Sequence, residues 1–484
     1  MEKSFRTHKS TYLNVALALL FLLVMAACGG GNSSNSQTNN QTPPTTQSST
    51  LQVNVGDSSS DRVMAFATNI ASMTLTNSNG TTTPVISGST PMETMHLAGT
   101  MQPINVLSIP EGTYTGASIT LSSMAVTFMD PTTHTIMQKT FAGPGTTNIS
   151  FSSPMTVGST PMVLSFDMDM ANSIAIDSSG NVTVTPTFHT VMNNVGAGSR
   201  DDVENGAMEQ MIGSVVGTSP SNFGFSMMQS AQPLTLTTGT NTVFQNISGI
   251  RMMSSSALVM VDAMLQSDGS IQAQKVHWFM GSGGVMADGM VGAVTGSPTT
   301  QIGMVVQNGS GQGMMPSFLA NNATVSLTGS TAYYIDTDGM DISNLPFTPM
   351  FDANHMYPGE RVRCISNSGM GSGRGGMGGM GGMGGGGMMG NMNASECDLV
   401  QQGFTGTVSN YSSSGGQATF TLTLATDSYF AILTGTTTIA VHQQPGTQLL
   451  GLTSVANGQT VQVRGLMFDD SGVFDMVASR IMNP

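Results

Sequence analysis

Three separated stretches of this chain open on one short pattern and then pass through the same succession of segments. A single folded unit must therefore suit all three. The openings are Ile212-Gly-Ser-Val-Val-Gly217, Val291-Gly-Ala-Val-Thr-Gly296 and Thr405-Gly-Thr-Val-Ser409. Each runs on to a Thr-rich segment: Thr240-Asn-Thr-Val-Phe244, Ser330-Thr-Ala-Tyr-Tyr334 and Thr436-Thr-Thr-Ile439. Each then reaches a hydrophobic alternation: Leu258-Val-Met-Val261, Gly359-Glu-Arg-Val-Arg-Cys364 and Gly458-Gln-Thr-Val-Gln-Val463. Period-two alternation is the mark of a half-buried strand. In the first and third copies the chain turns at Asp268-Gly269 or Asp470-Ser-Gly472 and returns as a second alternating strand. Asp-Gly between such strands is a strong hairpin signal. The expected modules are residues 211–283, 284–403 and 404–484, the second lengthened by a Gly/Met-rich insert at 369–393.

Upstream, residues 51–192 are short runs of Val, Ile, Thr and Ser punctuated by Gly, Pro and Asn. Ala117-Ser-Ile-Thr-Leu-Ser-Ser-Met-Ala-Val-Thr-Phe128 alternates over much of its length, and Asn79-Gly80 and Ser179-Gly180 supply turns. Many short strands with frequent turns predict an antiparallel β-sandwich. Residues 193–210 then read as a linker.

The sandwich region carries Gly56-Asp57, Asp61-Arg62-Val63, Ile70-Ala-Ser-Met-Thr-Leu75, Pro110-Glu-Gly-Thr-Tyr114, Phe166-Asp167 and Ala171-Asn-Ser-Ile174. These residues resemble the bacterial lipoprotein modules catalogued as domain of unknown function 4382. The Gly-x-Val openings and the Gly-x-x-Val-x-Val strand of the repeats resemble domain of unknown function 5666. That second resemblance implies small β-barrel-like modules. The expected fold is thus all-β, a sandwich followed by three tandem barrel-like modules. Neither resemblance implies a reaction.

At the N-terminus Lys3, Arg6 and Lys9 precede an apolar run over residues 15–24, then Met25-Ala-Ala-Cys28-Gly29. Basic, apolar and small-residue regions in that order read as a secretory signal peptide over 1–27. The run is shorter than the roughly 20 residues a membrane span needs. Cys28 after the small pair resembles the lipobox of bacterial lipoproteins, with Met25 where Leu is usual. The resemblance implies a diacylglyceryl group on the Cys28 sulfur, an acyl chain on its amine and attachment to the cell envelope. Gly29 in place of Asp implies the outer membrane. Residues 28–50, rich in Ser, Thr, Asn, Gln and Pro, read as a flexible polar tether. Only 8% of the chain is charged, with a net charge of −14, which excludes the basic footprint of a nucleic-acid binder.

With Cys28 assigned to lipid, Cys364 and Cys397 remain, and an oxidising compartment predicts a disulfide between them. Inside the insert, Met377, Met380 and Met383 recur every third residue, followed by Met388, Met389 and Met392. Thioethers favour Cu(I). Against copper stands the abundance of methionine throughout the chain, 42 residues in all, where it serves as core filler. Asp336, Asp338 and Asp341 surround a Gly turn, a spacing that suits Ca²⁺, weighed against a solvated β-turn. Asp167 and Asp169 share a strand face and read as sheet-edge caps. His96, His134, His189, His277, His355 and His442 are scattered, and no paired metal motif or nucleophile elbow is present in the sequence. Trp278, Tyr333, Tyr334 and Tyr357 offer either a sugar-stacking surface or core packing.

The favoured reading is a non-enzymatic, lipid-anchored envelope protein with a binding, display or structural role, its ligand open among envelope polysaccharide, another surface protein and a metal ion. The alternatives are an envelope hydrolase whose site is assembled from distant residues, and a copper-binding lipoprotein that uses the Gly/Met loop.

Overall fold

Alternation in the sequence becomes alternation of faces in the first strands. The computed structural model describes residues 47–58, 61–196, 205–311, 314, 316–367, 391–470 and 472–484. The strands of its first part are β1 (Ser48–Ser58), β2 (Val63–Asn77), β3 (Thr82–Glu93), β4 (Met101–Pro110), β5 (Gly112–Met129), β6 (Ile136–Val157), β7 (Met162–Asp169), β8 (Ile174–Ile176), β9 (Val182–Val184) and β10 (Phe188–Asn194). In β5, Ala117, Ile119, Leu121, Met124, Val126 and Phe128 point into the core while Ser118, Thr120 and Ser122 face outward. Two four-stranded sheets, β10-β7-β1-β4 and β3-β2-β5-β6, enclose this core with Leu51, Val53, Phe66, Tyr114 and Phe166.

The antiparallel reading of the sandwich needs one correction: β1 and β7 run parallel, Leu51 opposite Met162. A parallel neighbour requires a crossover. The chain makes it by building the whole second sheet before it returns as β7. The Pro110-to-Tyr114 element is a corner. The Tyr114 hydroxyl donates to the Pro110 carbonyl at 2.9 Å. Gly112 between them has φ +152°, a backbone conformation that residues with side chains rarely adopt, and an added Cβ would meet the Asn77 side-chain amide at 2.8 Å.

The second part comprises β11 (Ala207–Thr218), β12 (Asn222–Ser226), β13 (Leu234–Thr237), β14 (Val243–Gln245), β15 (Leu258–Leu265) and β16 (Ile271–Met280). Strands β13-β12-β11-β15-β16 are antiparallel neighbours, and a parallel β13–β16 pairing closes them. The β15–β16 turn has Gly269 at φ +82°, and Asp268 accepts the Ser270 N–H at 2.9 Å. In the last part, β24 (Gln402–Ser414), β25 (Gln417–Thr423), β26 (Thr438–Leu450), β27 (Thr460–Asp470) and β28 (Val473–Met482) form a closed barrel. Its parallel closure is β26–β28.

Between these barrels lie β17 (Val285–Gly296), β18 (Thr299–Gly311), β19 (Asn322–Ser326), β20 (Ala332–Ile335), β21 (Arg361–Ser366), β22 (Asn391–Asn393) and β23 (Glu396–Leu399). The neighbours repeat, with β22 parallel to β19 and β23 antiparallel to β21, so the returning strand comes in two pieces. All three copies thus follow the order first-second-third-fifth-fourth, with the third and fifth parallel. In the first and last copies this order closes a five-stranded barrel, and the middle copy is a seven-stranded sheet.

The parts are not beads on a string. Met64, Ala65 and Met129 of the sandwich and Met290 and Val305 of the middle copy join the core of the last barrel. Leu466, Phe468 and Val477 of that barrel join the middle core, and Met286 and Ile365 pack on Ile212, Leu258 and Met260 of the first barrel. Residues Gln47–Pro484 consequently form one compact unit.

Candidate functional site

Where the sandwich and the three barrel copies meet, they enclose an open polar cleft of about 480 Å³. That volume lies within the range of small-ligand pockets. The sandwich contributes His96, from a short 3-10 turn after β3, together with Thr100 and Gln102. The first barrel contributes Glu209 and Asp262, the middle copy Asp288, Asp338, Arg361 and Arg363, and the last barrel Gln448, Arg464 and Arg480.

Four of the chain's nine arginines line this one cleft, in a protein of net negative charge. Three are fully engaged. Arg361, on β21, donates Nε and Nη2 to the two oxygens of Asp288 at 2.8 and 2.9 Å. Its Nη1 donates to the carbonyls of Gln401 (2.8 Å) and His96 (3.1 Å), so one guanidinium joins the sandwich to the middle copy and the start of the last barrel. Arg363, two residues along the same strand face, donates to Asp398 and to Asp336 at 2.7–3.1 Å. It also lies 5.1 Å from the Phe279 ring centroid of the first barrel. Arg480 binds both oxygens of Glu209 at 2.6 and 2.7 Å, and donates to Gln448 and Thr100. Bidentate charge-assisted pairs of this kind fix geometry as well as adding energy.

Arg464 differs. It is buried, and its side chain makes one hydrogen bond among the described residues, Nη1 to the Ala98 carbonyl at 2.8 Å. No described carboxylate stands within salt-bridge distance of it. Burial, together with the neighbouring Arg361 and Arg480, pushes its pKa down to about 9.

Acidic side chains line the cleft as well. Lys275 is shared between Asp338 (3.4 Å) and Asp262 (3.8 Å). Burial, and then the charge of Asp262, push Asp338 up to about 7 despite Lys275. Burial likewise raises Asp262. An unfolded Asp titrates near 3.9, so the folded state holds this proton more tightly. The stability this proton contributes is complete below about pH 4 and is lost as pH rises through about 7. Asp338→Asn is therefore expected to shift the urea midpoint upward relative to the parent at pH 8 and to shift it by less than half as much at pH 5. Equal shifts at both pH values would contradict the assignment.

The residues singled out in the sequence separate in space. Cys364 and Cys397 sit directly opposite one another on β21 and β23, both fully buried, and form the expected disulfide. Cys28, Met377, Met380, Met383, Met388 and Met389 lie outside the described residues. Met392 is turned inward by the pairing of β22 with β19, 1% exposed, between outward Asn391 and Asn393. The calcium reading is corrected. Asp336 is bound to Arg363, whose charge overcomes the effect of burial and holds the carboxyl low. Asp338 goes to Lys275, and the exposed Asp341 accepts the Ser343 N–H in a turn. Among the described residues no three His, Cys, Asp or Glu side chains are grouped to hold a metal ion.

Asp169 caps a short helical turn through the Asn172 N–H and meets His189 at 3.4 Å. His96 pairs with Glu93, His442 with Asp475 and His355 with Asp352. The aromatic residues take separate roles. Tyr357 packs on Phe474 and Tyr333 on Phe351, Trp278 lies against the first barrel's core, and Tyr334 is exposed.

No family model matches the chain, and no curated protein matches it. Among solved structures, a multidomain protein with nucleic acid binding domains from Streptococcus pneumoniae TIGR4 is similar over 55% of this chain and 72% of that one. The identity is 8% and the TM-score 0.11. A likeness at that TM-score carries no argument, and a barrel topology alone does not say what is bound.

Proposed function

We propose that this chain is a lipid-anchored protein of the bacterial cell envelope, held through Cys28 on the outer membrane, and that it binds a small ligand or chain end without transforming it. The observation that supports binding is the cleft: four folded parts converge on it, and buried ion pairs lock its walls before any ligand arrives. Preformed polar groups on rigid elements reduce the ordering cost of recognition. The lipobox-like leader and the polar composition of the residues after Cys28 support the location. Envelope polysaccharide is the partner this arrangement suits best.

Two variants test the two halves. Cys28→Ser is expected to leave the protein unlabelled by radioactive palmitate and absent from the detergent phase, while the parent is labelled and membrane-bound. An unlabelled, soluble parent would remove the anchor. Gly446→Trp tests the cleft. Gly446 is an exposed wall residue at which an added Cβ meets nothing within 4 Å, so an indole there fills the cleft without disturbing the barrel. It is expected to abolish retention of the full-length protein on immobilised envelope polysaccharide. Undiminished retention would move the binding site elsewhere.

A further inference from the structure

We infer that the cleft recognises a singly charged acidic saccharide, a sugar bearing one carboxylate such as a uronate, with Arg464 reading the carboxylate and the cleft's acidic side chains reading the hydroxyl groups. The inference rests on the reading of the cleft as a binding site and names what fills it.

The first observation is the charge of Arg464. Arg361, Arg363 and Arg480 each have a carboxylate at 2.6–2.9 Å, whereas Arg464 has none. Of the five N–H donors of a guanidinium, one reaches the Ala98 carbonyl. A buried charge without a counterion is costly, and an oxyanion entering the cleft would supply one in the planar geometry that Arg favours.

The second observation limits what else the ligand carries. Glu209, Asp262 and Asp338 line the same cleft, with Lys275 shared by the last two. A polyanion, whether a nucleic-acid backbone or a polyphosphate, would find no second unpaired cation among the described cleft residues, since Arg361, Arg363, Arg480 and Lys275 are each bound to carboxylates. Carboxylates instead accept hydrogen bonds from hydroxyls, and Asp262 and Asp338 offer acceptors for them. The neutral Gln448 and Ser479 add donors and acceptors without charge. One negative charge on a hydroxyl-rich body satisfies both sets of groups together.

The test is calorimetric titration of the full-length protein in detergent with D-glucuronate, D-glucose and inorganic phosphate. Glucuronate is expected to bind at least tenfold more tightly than either of the others. Arg464→Met is expected to erase the preference over glucose. Arg464→Lys, which keeps the charge but loses the planar fork, is expected to keep a few-fold preference, and it serves as the informative variant should the methionine substitution unfold the protein. Glucuronate bound by Arg464→Met as tightly as by the parent, with both folded by circular dichroism, would overturn the inference. So would phosphate binding as tightly as glucuronate, since charge alone would then be read, and so would equal affinity for glucose and glucuronate. In each of those cases the loss of polysaccharide retention in Gly446→Trp would still stand as evidence for the cleft, so the two readings fail separately.

Discussion

Arg361→Met is expected to lower the stability of the folded body by about 3–5 kcal/mol, the cost of leaving one member of a buried ion pair alone. Arg361 and Asp288 are 7% and 4% exposed, so neither charge has water to fall back on. The variant strands more than Asp288. The carbonyls of His96 and Gln401 also lose a donor, and these lie in the sandwich loop and at the start of the last barrel. The double variant Arg361→Met with Asp288→Asn removes the orphaned charge and is expected to recover a substantial part of the loss. Trp278, the only tryptophan, packs in the first barrel and gives a fluorescence readout for urea unfolding. A midpoint unchanged in the single variant, or a double variant less stable than the single, would show that the pair does not join the parts as described.

Loss of the disulfide is the second large effect. Cys364 and Cys397 are 33 positions apart, and closing a loop of that length stabilises by about 3–4 kcal/mol in the chain-entropy model. The paired substitution Cys364→Ala with Cys397→Ala is expected to cost that amount, and the parent should lose as much when reduced. The bond also lies beside Arg363 and Asp398, one position from each cysteine, so its removal loosens a wall of the cleft as well as the barrel. Identical thermal midpoints with and without reductant would count against this.

Much of the architecture could be read from the chain because its signals are local. Alternation over 117–128 and the Asp268-Gly269 turn need only neighbouring residues to specify a strand and a hairpin. The parallel β1–β7 pair was not legible, since period-two patterning carries no direction. The cleft was hidden for a different reason: its contacts are long in sequence. Arg464 meets Ala98 across 366 positions, Arg480 meets Glu209 across 271 and Arg361 meets His96 across 265. One local hint existed. In Arg361-Val-Arg-Cys364 two charges alternate with apolar residues on a strand buried along its whole length. Val362 and Cys364 fill the barrel, so the arginines must face another folded part rather than water. The apparent calcium motif misled because spacing along a chain does not say where each side chain already has a partner, as Asp336 shows.

The position of the Cys364–Cys397 bond has a bearing on how this chain tolerates change. The Gly/Met-rich run lies between the two cysteines in sequence, whereas Arg361, Arg363 and the other residues named on the cleft lie outside that interval. The crosslink holds Cys364 opposite Cys397 whatever the number of residues between them. Variants of differing tract length should share one register between β21 and β23, and with it one set of ligand-facing arginines.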